Sequence, residues 1–172
     1  MGRYQHAGAV EQIEQSLSSS DKQELFRRMR AKACNRLLVA LMNHCNYQSV
    51  NFIARRGRSK AFKNYFMRVF PALQFQHINT QYSLLHEIKA DVLWIDLFRY
   101  PHQLSSNVLS HSLSLLNDDG LVFLNGRLDA LSKSVWEQIQ ADVNITVTLD
   151  FCYCRVAFAK KNQAKEHFKI RL

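Results

Sequence analysis

A run of basic residues follows a short apolar segment in the first third of the chain. Residues 50–54 are predicted to form a strand, and a loop with four basic side chains comes directly after it: Arg55, Arg56, Arg58 and Lys60. A helix is predicted to begin after this loop, at Ala61. Backbone N–H groups and the dipole at a helix N-terminus favour an anion, and guanidinium groups suit phosphate. The loop therefore offers a candidate phosphate or nucleic-acid site, with a solvated basic surface as the alternative.

The net charge of the whole chain supports attraction to polyanions without specifying one. The chain carries a formal charge of +9. It contains no pattern of an RRM, a KH domain or a zinc finger, and charge alone gives only non-specific binding to nucleic acid.

Residues that could bind a metal or act as a nucleophile are present, but their spacing is unfavourable. Cys34 and Cys45 lie in a helical pattern, whereas Cys152 and Cys154 lie in a strand pattern that places both thiols on one face. A structural zinc site needs four ligands from paired units, which these residues do not form. The histidines lack metal-ligand spacing, and no serine lies in a Gly-x-Ser-x-Gly elbow. We expect buried free thiols and no metal, and the sequence assigns no catalytic residue.

Length and composition indicate a globular domain. The 172 residues are 47% hydrophobic and 22% charged, which is ordinary for a folded domain with a core. No apolar run reaches the roughly 18 residues of a membrane span, and the N-terminus lacks the apolar centre of a secretory signal. The expectation is a soluble cytoplasmic protein with no membrane partner.

Strand and helix patterns alternate along the chain. Residues 1–20 are predicted to be an N-terminal extension, and residues 21–172 a single domain that opens with a helix near Ser20. Strands are predicted at residues 50–54, 73–79, 91–97, 121–124, 144–149 and 153–159. Helices are predicted at residues 61–69, 82–88, 101–116 and 130–141. This alternation predicts a three-layer α/β/α sandwich with a mostly parallel sheet, and the short last connection requires an antiparallel C-terminal hairpin.

Several segments of the second half resemble a known family. Asp91–Asp96 is similar to the fourth strand of class I S-adenosylmethionine-dependent methyltransferases, which commonly ends in an acidic residue. Other segments resemble a bacterial subgroup of small class I methyltransferases, including its basic-acidic-His-Phe tail: residues 135–139, 145–150, 156–158 and 163–172. The resemblance covers residues 33–172 and implies a Rossmann-like methyltransferase fold with S-adenosylmethionine as the cofactor.

The half of the chain that should hold the cofactor departs from the family pattern. A glycine-rich turn normally follows the first strand, because the backbone must approach the cofactor closely. Residues 54–59 instead contain one glycine and three arginines. The second strand ends in Asn79 rather than in the acid that holds the ribose hydroxyls, so a charge-assisted hydrogen bond is lost. About ten residues separate Asn79 from the next buried strand, so the family's third strand, a sheet edge, is expected to be missing.

The resemblance implies which residues would contact the cofactor. They are Asp96, Ala54, Gly57, Ser59 and Asn79. Asp96 is also explained as an ordinary residue of a turn at a strand end.

Two functions follow as expectations. The first is a methyltransferase-like protein, shortened and degenerate, whose catalytic activity is weak or lost. The alternative is a non-catalytic binding module for RNA or another polyanion through the basic loop 55–63. The edge beside Leu73–Ile78 predicts in addition that the chain associates as a homodimer.

Overall fold

The computed structural model describes residues 33–54, 56–78, 88–97, 104–126, 129–151 and 154–170, with the side chains of residues 56–59 and 61 left undescribed. The chain divides into two compact units, Met1–Val39 and Ala40–Leu172. Only residues 33–39 of the first unit are described, and they are helical. The predicted boundary near residue 20 lies outside the described residues, so it stays a prediction.

Strands and helices alternate along the described chain. The helices are α1 (33–45), α2 (Arg56–Val69), α3 (Ser106–Ser114) and α4 (Ala130–Ala141). The strands are β1 (Ser49–Ile53), β2 (Gln74–His77), β3 (Ala90–Asp96), β4 (Leu116–Asn125), β5 (Val147–Asp150), β6 (Cys154–Phe158) and β7 (Glu166–Lys169). The predicted helix at residues 82–88 falls almost wholly outside the described part.

All seven strands join one sheet in the order β2-β1-β3-β4-β6-β5-β7. The pairs β1–β2, β1–β3 and β3–β4 are parallel, and β6 pairs antiparallel with both β4 and β5. This confirms the predicted mostly parallel sheet with its antiparallel C-terminal hairpin, a Rossmann-like methyltransferase fold. Among the described strands β2 lies at the end of the sheet, as expected if the third strand of the family is missing.

Helix α2 begins earlier than predicted. The prediction placed a loop at residues 55–60 and the helix from Ala61, whereas the helix already begins at Arg56. The basic residues and Gly57 favour a loop in the sequence, but the structure includes them in the first turn of α2. Phe62 and Phe66 pack on Trp94 with ring centroids 4.4 and 5.0 Å away. That packing fixes the helix close to the end of β1.

The C-terminal tail forms a strand that sequence reasoning did not assign. β7 pairs in parallel with β5, with His167 beside Thr148 and Phe168 beside Leu149. The Oγ1 atom of Thr148 lies 2.7 Å from Nδ1 of His167, a hydrogen bond that holds the exposed histidine against β5. The tail therefore extends the sheet by one strand beyond the closing hairpin.

Three described residues other than glycine have a left-handed backbone. Asn46 (φ 55°) follows the last residue of α1, and Asn162 (φ 61°) lies in the turn after β6. Asp119 (φ 60°) lies inside β4, where the pairing with β3 is irregular. Asn and Asp tolerate this conformation better than most residues.

The sheet is buried on both faces. One face carries an apolar cluster in which β3 and β4 pack against α3 and α4, including Ile95, Leu124, Leu109 and Ile139. The other face carries Trp94, which is fully buried among aromatic rings. Trp94 and Trp136 are core residues, as the sequence predicts.

The thiols follow the prediction only in part. Cys34 and Cys154 are buried, but Cys45 is exposed, which corrects the expectation of a buried thiol there. Cys45 is the last residue of α1, where the helix gives way to the turn at Asn46. Cys152 lies outside the described residues.

None of the described helices combines the length and the apolar character that crossing a membrane requires.

A carboxylate holds the beginnings of three strands together. Oδ2 of Asp91 accepts hydrogen bonds from the backbone N–H of Gln48 (2.9 Å) and from the N–H (3.0 Å) and hydroxyl (2.7 Å) of Ser49. Its Oδ1 accepts one from Nδ2 of Asn117 at 2.8 Å. Burial alone would raise the pKa of Asp91, but these hydrogen bonds outweigh it and hold the pKa below its ordinary value of 3.8.

We expect the variant Asp91→Asn to lower the free energy of unfolding at pH 7 by about 1–2 kcal/mol, because an amide cannot accept all these bonds. The lowered pKa means that the carboxylate stabilises the fold above pH 3.8 and that this stabilisation is lost as the pH falls below that value. The difference from the parent chain should therefore shrink on acidification.

Urea unfolding at a series of pH values measures this effect. The exposed Glu137→Gln is the control, and it should match the parent chain throughout. A difference for Asp91→Asn that stays constant between pH 7 and the acid limb would contradict the assignment.

Candidate functional site

The sheet order locates the place where a doubly wound fold would bind a ligand. The chain passes from β1 to β2 on one side and then returns to β3 on the other side of β1. Ligands in such sheets bind outside the carboxyl ends of the strands at this switch point. The candidate crevice thus lies at the ends of β1 and β3, with the end of β4 beside them.

Polar residues stand at the ends of neighbouring strands. Asp96 ends β3 and is aligned with Asn125, which ends β4. Directly paired residues of neighbouring strands place their side chains on the same face of the sheet. The Asp96 carboxyl and the Asn125 amide are therefore neighbours at the crevice. Asp96 thus lies where the resemblance implies.

Three residues at these strand ends are buried. Ala54, Asp96 and Asn125 expose only 6%, 1% and 2% of their surfaces. The strand ends are also tied together, because the N–H of Leu97 donates to the carbonyl oxygen of Asn125 at 2.8 Å. A cofactor that contacts Asp96 and Ala54 needs access to both residues, and each is almost wholly buried.

His77 forms a further contact between β2 and the residue that follows β1. Its Nε2 atom lies 2.9 Å from the carbonyl oxygen of Ala54. A carbonyl oxygen only accepts hydrogen bonds, so Nε2 carries the proton and donates it. Ala54 is the residue whose backbone should face the cofactor, and its carbonyl group is already engaged. No local sequence pattern predicts this contact, and the alternation of β2 predicts only that His77 lies at the end of its strand.

The connection that should cradle the cofactor is very short. β1 ends at Ile53 and α2 begins at Arg56, so two residues join them. Gly57 and Ser59 have helical backbones, a conformation that needs no glycine. Arg56, Arg58 and Lys60 likewise belong to the helix, whereas Arg55 and Asn79 lie outside the described residues. The structure thus brings Ala54 and Asp96 to the crevice and places Gly57 and Ser59 in the helix.

Asn125 carries a polar atom that is not satisfied within the described chain. Its Oδ1 is buried and accepts no hydrogen bond from any described residue. Next to it, Gly126 is packed so closely that an added Cβ would lie 3.1 Å from Oγ of Ser132 and 3.3 Å from Cβ of Leu97. The glycine lets the first turn of α4 approach the end of β3. A methyl group at this position would require Ser132 or Leu97 to move by a few tenths of an ångström.

A buried arginine continues this polar region behind α4. Nη1 of Arg155 donates to the carbonyl oxygen and to Oγ of Ser132, both at 3.0 Å, and Nε donates to Oδ2 of Asp150 at 3.2 Å. The guanidinium carbon also lies 5.7 Å from the centre of the Trp136 ring. Sequence reasoning missed this network, although a charged residue inside an apolar strand pattern is its visible signal. Its partners are all within the protein, so Arg155 has a structural role.

Other chemistry has little support in the described part of the chain. Within the described ranges, no three His, Cys, Asp or Glu side chains come together in a way that could hold a metal ion. The arrangement at the crevice offers one carboxyl group, one amide and backbone groups, which suit hydrogen bonds to a polar ligand rather than covalent catalysis.

The similarity of this chain to known proteins lies in its structure and not in its sequence. No protein-family model and no curated protein matches the chain. The structure is similar to the crystal structure of a putative caffeoyl-CoA O-methyltransferase from Staphylococcus aureus, with 12% sequence identity and a TM-score of 0.49. The alignment covers 89% of this chain and 98% of that chain. The fold assignment itself rests on the strand order and pairing of the sheet.

Proposed function

We propose that this chain is a methyltransferase-like protein that has lost most of its affinity for S-adenosylmethionine and no longer catalyses methyl transfer. The observation that carries the proposal is the burial of the residues at the ends of β1 and β3. Ala54 and Asp96 would have to contact the cofactor, and both are buried to more than nine-tenths.

The local chemistry supports the same proposal. The Ala54 carbonyl oxygen accepts a hydrogen bond from His77, and the connection from β1 to α2 has two residues. A methyltransferase cofactor carries a sulfonium cation, an amino acid group and a nucleoside, and each needs a partner when it leaves water. With Asn79 in place of an acid, the ribose hydroxyls lose a charged acceptor. Such a chain retains the scaffold and serves as a structural or interaction protein.

Isothermal titration with S-adenosylhomocysteine tests this proposal. We expect a dissociation constant weaker than about 1 mM, which corresponds to less than about 4 kcal/mol of binding free energy. The variant Asp96→Asn should give the same result as the parent chain, since the carboxylate then has no cofactor to hold. Circular dichroism confirms that the variant is folded.

Micromolar binding that Asp96→Asn weakens at least tenfold, while the exposed Asp118→Asn leaves it unchanged, would contradict the proposal. It would show that the crevice opens and that Asp96 holds the cofactor.

A second function, binding of RNA or another polyanion, is favoured by the composition of α2. The helix contains five basic residues and no acidic one: Arg56, Arg58, Lys60, Lys63 and Arg68. Lys60, Lys63 and Arg68 are exposed. Several cations on one helix without compensating carboxylates attract phosphate groups, and such binding weakens steeply with salt.

Retention on heparin and on single-stranded RNA tests this second function. We expect the charge reversals Lys60→Glu and Lys63→Glu, made together, to lower the salt concentration needed for elution, because each removes a phosphate contact. The matched control is the pair Lys133→Glu and Lys169→Glu, which changes the net charge equally at exposed sites on α4 and β7. Equal losses in both double variants would reduce the effect to net charge and contradict a site on α2.

A further inference from the structure

A groove of about 330 Å³ lies at the other end of the sheet, where β3 and β4 begin. Its apolar lining includes Leu113 and Ile145, which are buried, and Leu116, which is half-buried. The remaining lining is mostly polar and comes from the ends of α3 and α4 and from the chain after β6. This volume is within the range of roughly 300–1,000 Å³ that small-molecule sites occupy. The groove shares no residue with the candidate crevice.

Two lysines of the groove have no ion pair. Lys89 and Lys160 both line it, and neither ammonium group forms a salt bridge or a hydrogen bond with the described residues. They come from distant parts of the chain, immediately before β3 and after β6. Their convergence on one cavity therefore results from the fold and not from a local charge run.

The other charges of the groove are already compensated. Nζ of Lys161 donates to Oδ2 of Asp118 at 2.5 Å. This hydrogen bond is the main cause that lowers the pKa of Asp118, and the charges of Lys161 and Lys89 lower it further. Asp118 is thus an ionised carboxylate with a partner at neutral pH. Lys89 and Lys160 are left as positive charges without an equivalent partner.

The partial negative charge at the C-terminal end of α4 is also compensated. Helix C-termini carry partial negative charge that could cancel nearby cations. Nζ of Lys165 donates to the carbonyl oxygens of Asp142 at 2.8 Å and Gln140 at 3.3 Å, and so binds the end of α4. Oδ1 of Asp142 accepts the N–H of Asn144 at 2.9 Å. Asp142 keeps its negative charge, but three lysines and two carboxylates line the groove, so a net positive charge remains.

An apolar side chain on the rim remains in water. Val143 lines the groove and is 81% exposed, although it lies in a turn fixed by the hydrogen bonds of Asp142 and Asn144. A large aliphatic side chain held in this exposed position gains from any ligand with an apolar body that covers it.

We propose that this groove binds a small organic anion whose acidic group lies between Lys89 and Lys160 and whose apolar body covers Val143 and Ile145. The site is independent of the candidate crevice, since it lies at the opposite end of the strands. The anionic group could be a carboxylate, a sulfonate or a phosphate ester, because an ammonium group recognises each of them.

Titration with 8-anilinonaphthalene-1-sulfonate tests the site, since this probe joins a sulfonate to apolar rings and fluoresces when its rings leave water. We expect saturable binding of one probe per chain. The double variant Lys89→Gln and Lys160→Gln should raise the dissociation constant about tenfold, or about 1.4 kcal/mol. The variant Ser114→Trp, at an exposed lining position, should abolish binding by filling the groove.

Two controls separate this site from general adsorption of the dye. The double variant Lys133→Gln and Lys169→Gln removes the same charge elsewhere and should leave the dissociation constant unchanged. The anion 1-naphthoate should displace the probe, whereas the neutral 1-naphthylmethanol should not. Inorganic phosphate shows whether the charge alone is sufficient, and we expect it to compete poorly.

Three results would overturn the proposal. They are binding that survives Ser114→Trp, equal weakening by the two double variants, and equal displacement by the neutral alcohol. Thermal unfolding of every variant confirms that each remains folded. Failure of this site would leave the proposed loss of the cofactor untouched, because that proposal depends on S-adenosylhomocysteine binding at the other end of the sheet.

Discussion

The packing of aromatic rings around Trp94 fixes the arrangement on which the rest of the fold depends. The indole contacts Phe52 of β1, Phe123 of β4, and Phe62 and Phe66 of α2, with centroid distances from 4.4 to 6.3 Å. Each such pair contributes about 0.5–1.5 kcal/mol beyond the burial of its surface. The cluster therefore connects β1, β3 and β4 with α2. Any movement of α2 away from the sheet breaks two of these pairs.

This packing has a direct consequence for the candidate crevice. Because Phe62 and Phe66 hold α2 against Trp94, its first turn is held near the end of β1, and two residues suffice to connect them. A glycine-rich turn lets the backbone approach a cofactor closely, whereas the glycine of this segment, Gly57, belongs to the helix and not to the connection. The contact from His77 to the Ala54 carbonyl oxygen connects β2 to the same place.

Much of the fold follows from local patterns in the sequence. The interior strand β3 is a continuous apolar run, and β1, β2, β4 and β6 also lie where alternation or apolar runs predict them. The helix α4 begins and ends as its apolar period predicts, with Asp129 as its cap. Short-range patterns predict these elements because each is stabilised by its own amphipathic or apolar sequence.

The features that sequence reasoning missed depend on contacts between distant residues. The early start of α2 depends on rings that meet Trp94 across the sheet, and β7 exists because β5 offers an open edge to the tail. The site was predicted only in part for the same reason. The resemblance predicts Asp96 and Ala54 as cofactor contacts, and this role stays a prediction. The burial of both, the His77 contact and the Arg155 network arise from tertiary packing that no local pattern encodes.

We propose that S-adenosylmethionine does not enter the crevice at the ends of β1 and β3. Amide ¹H–¹⁵N spectra of the labelled protein, recorded while S-adenosylmethionine is added to about 1 mM, test it most directly. The account predicts that the resonances of Ala54, Leu97 and Asn125 do not move. Saturable shifts confined to these residues would contradict it, because they would show that the cofactor enters the crevice.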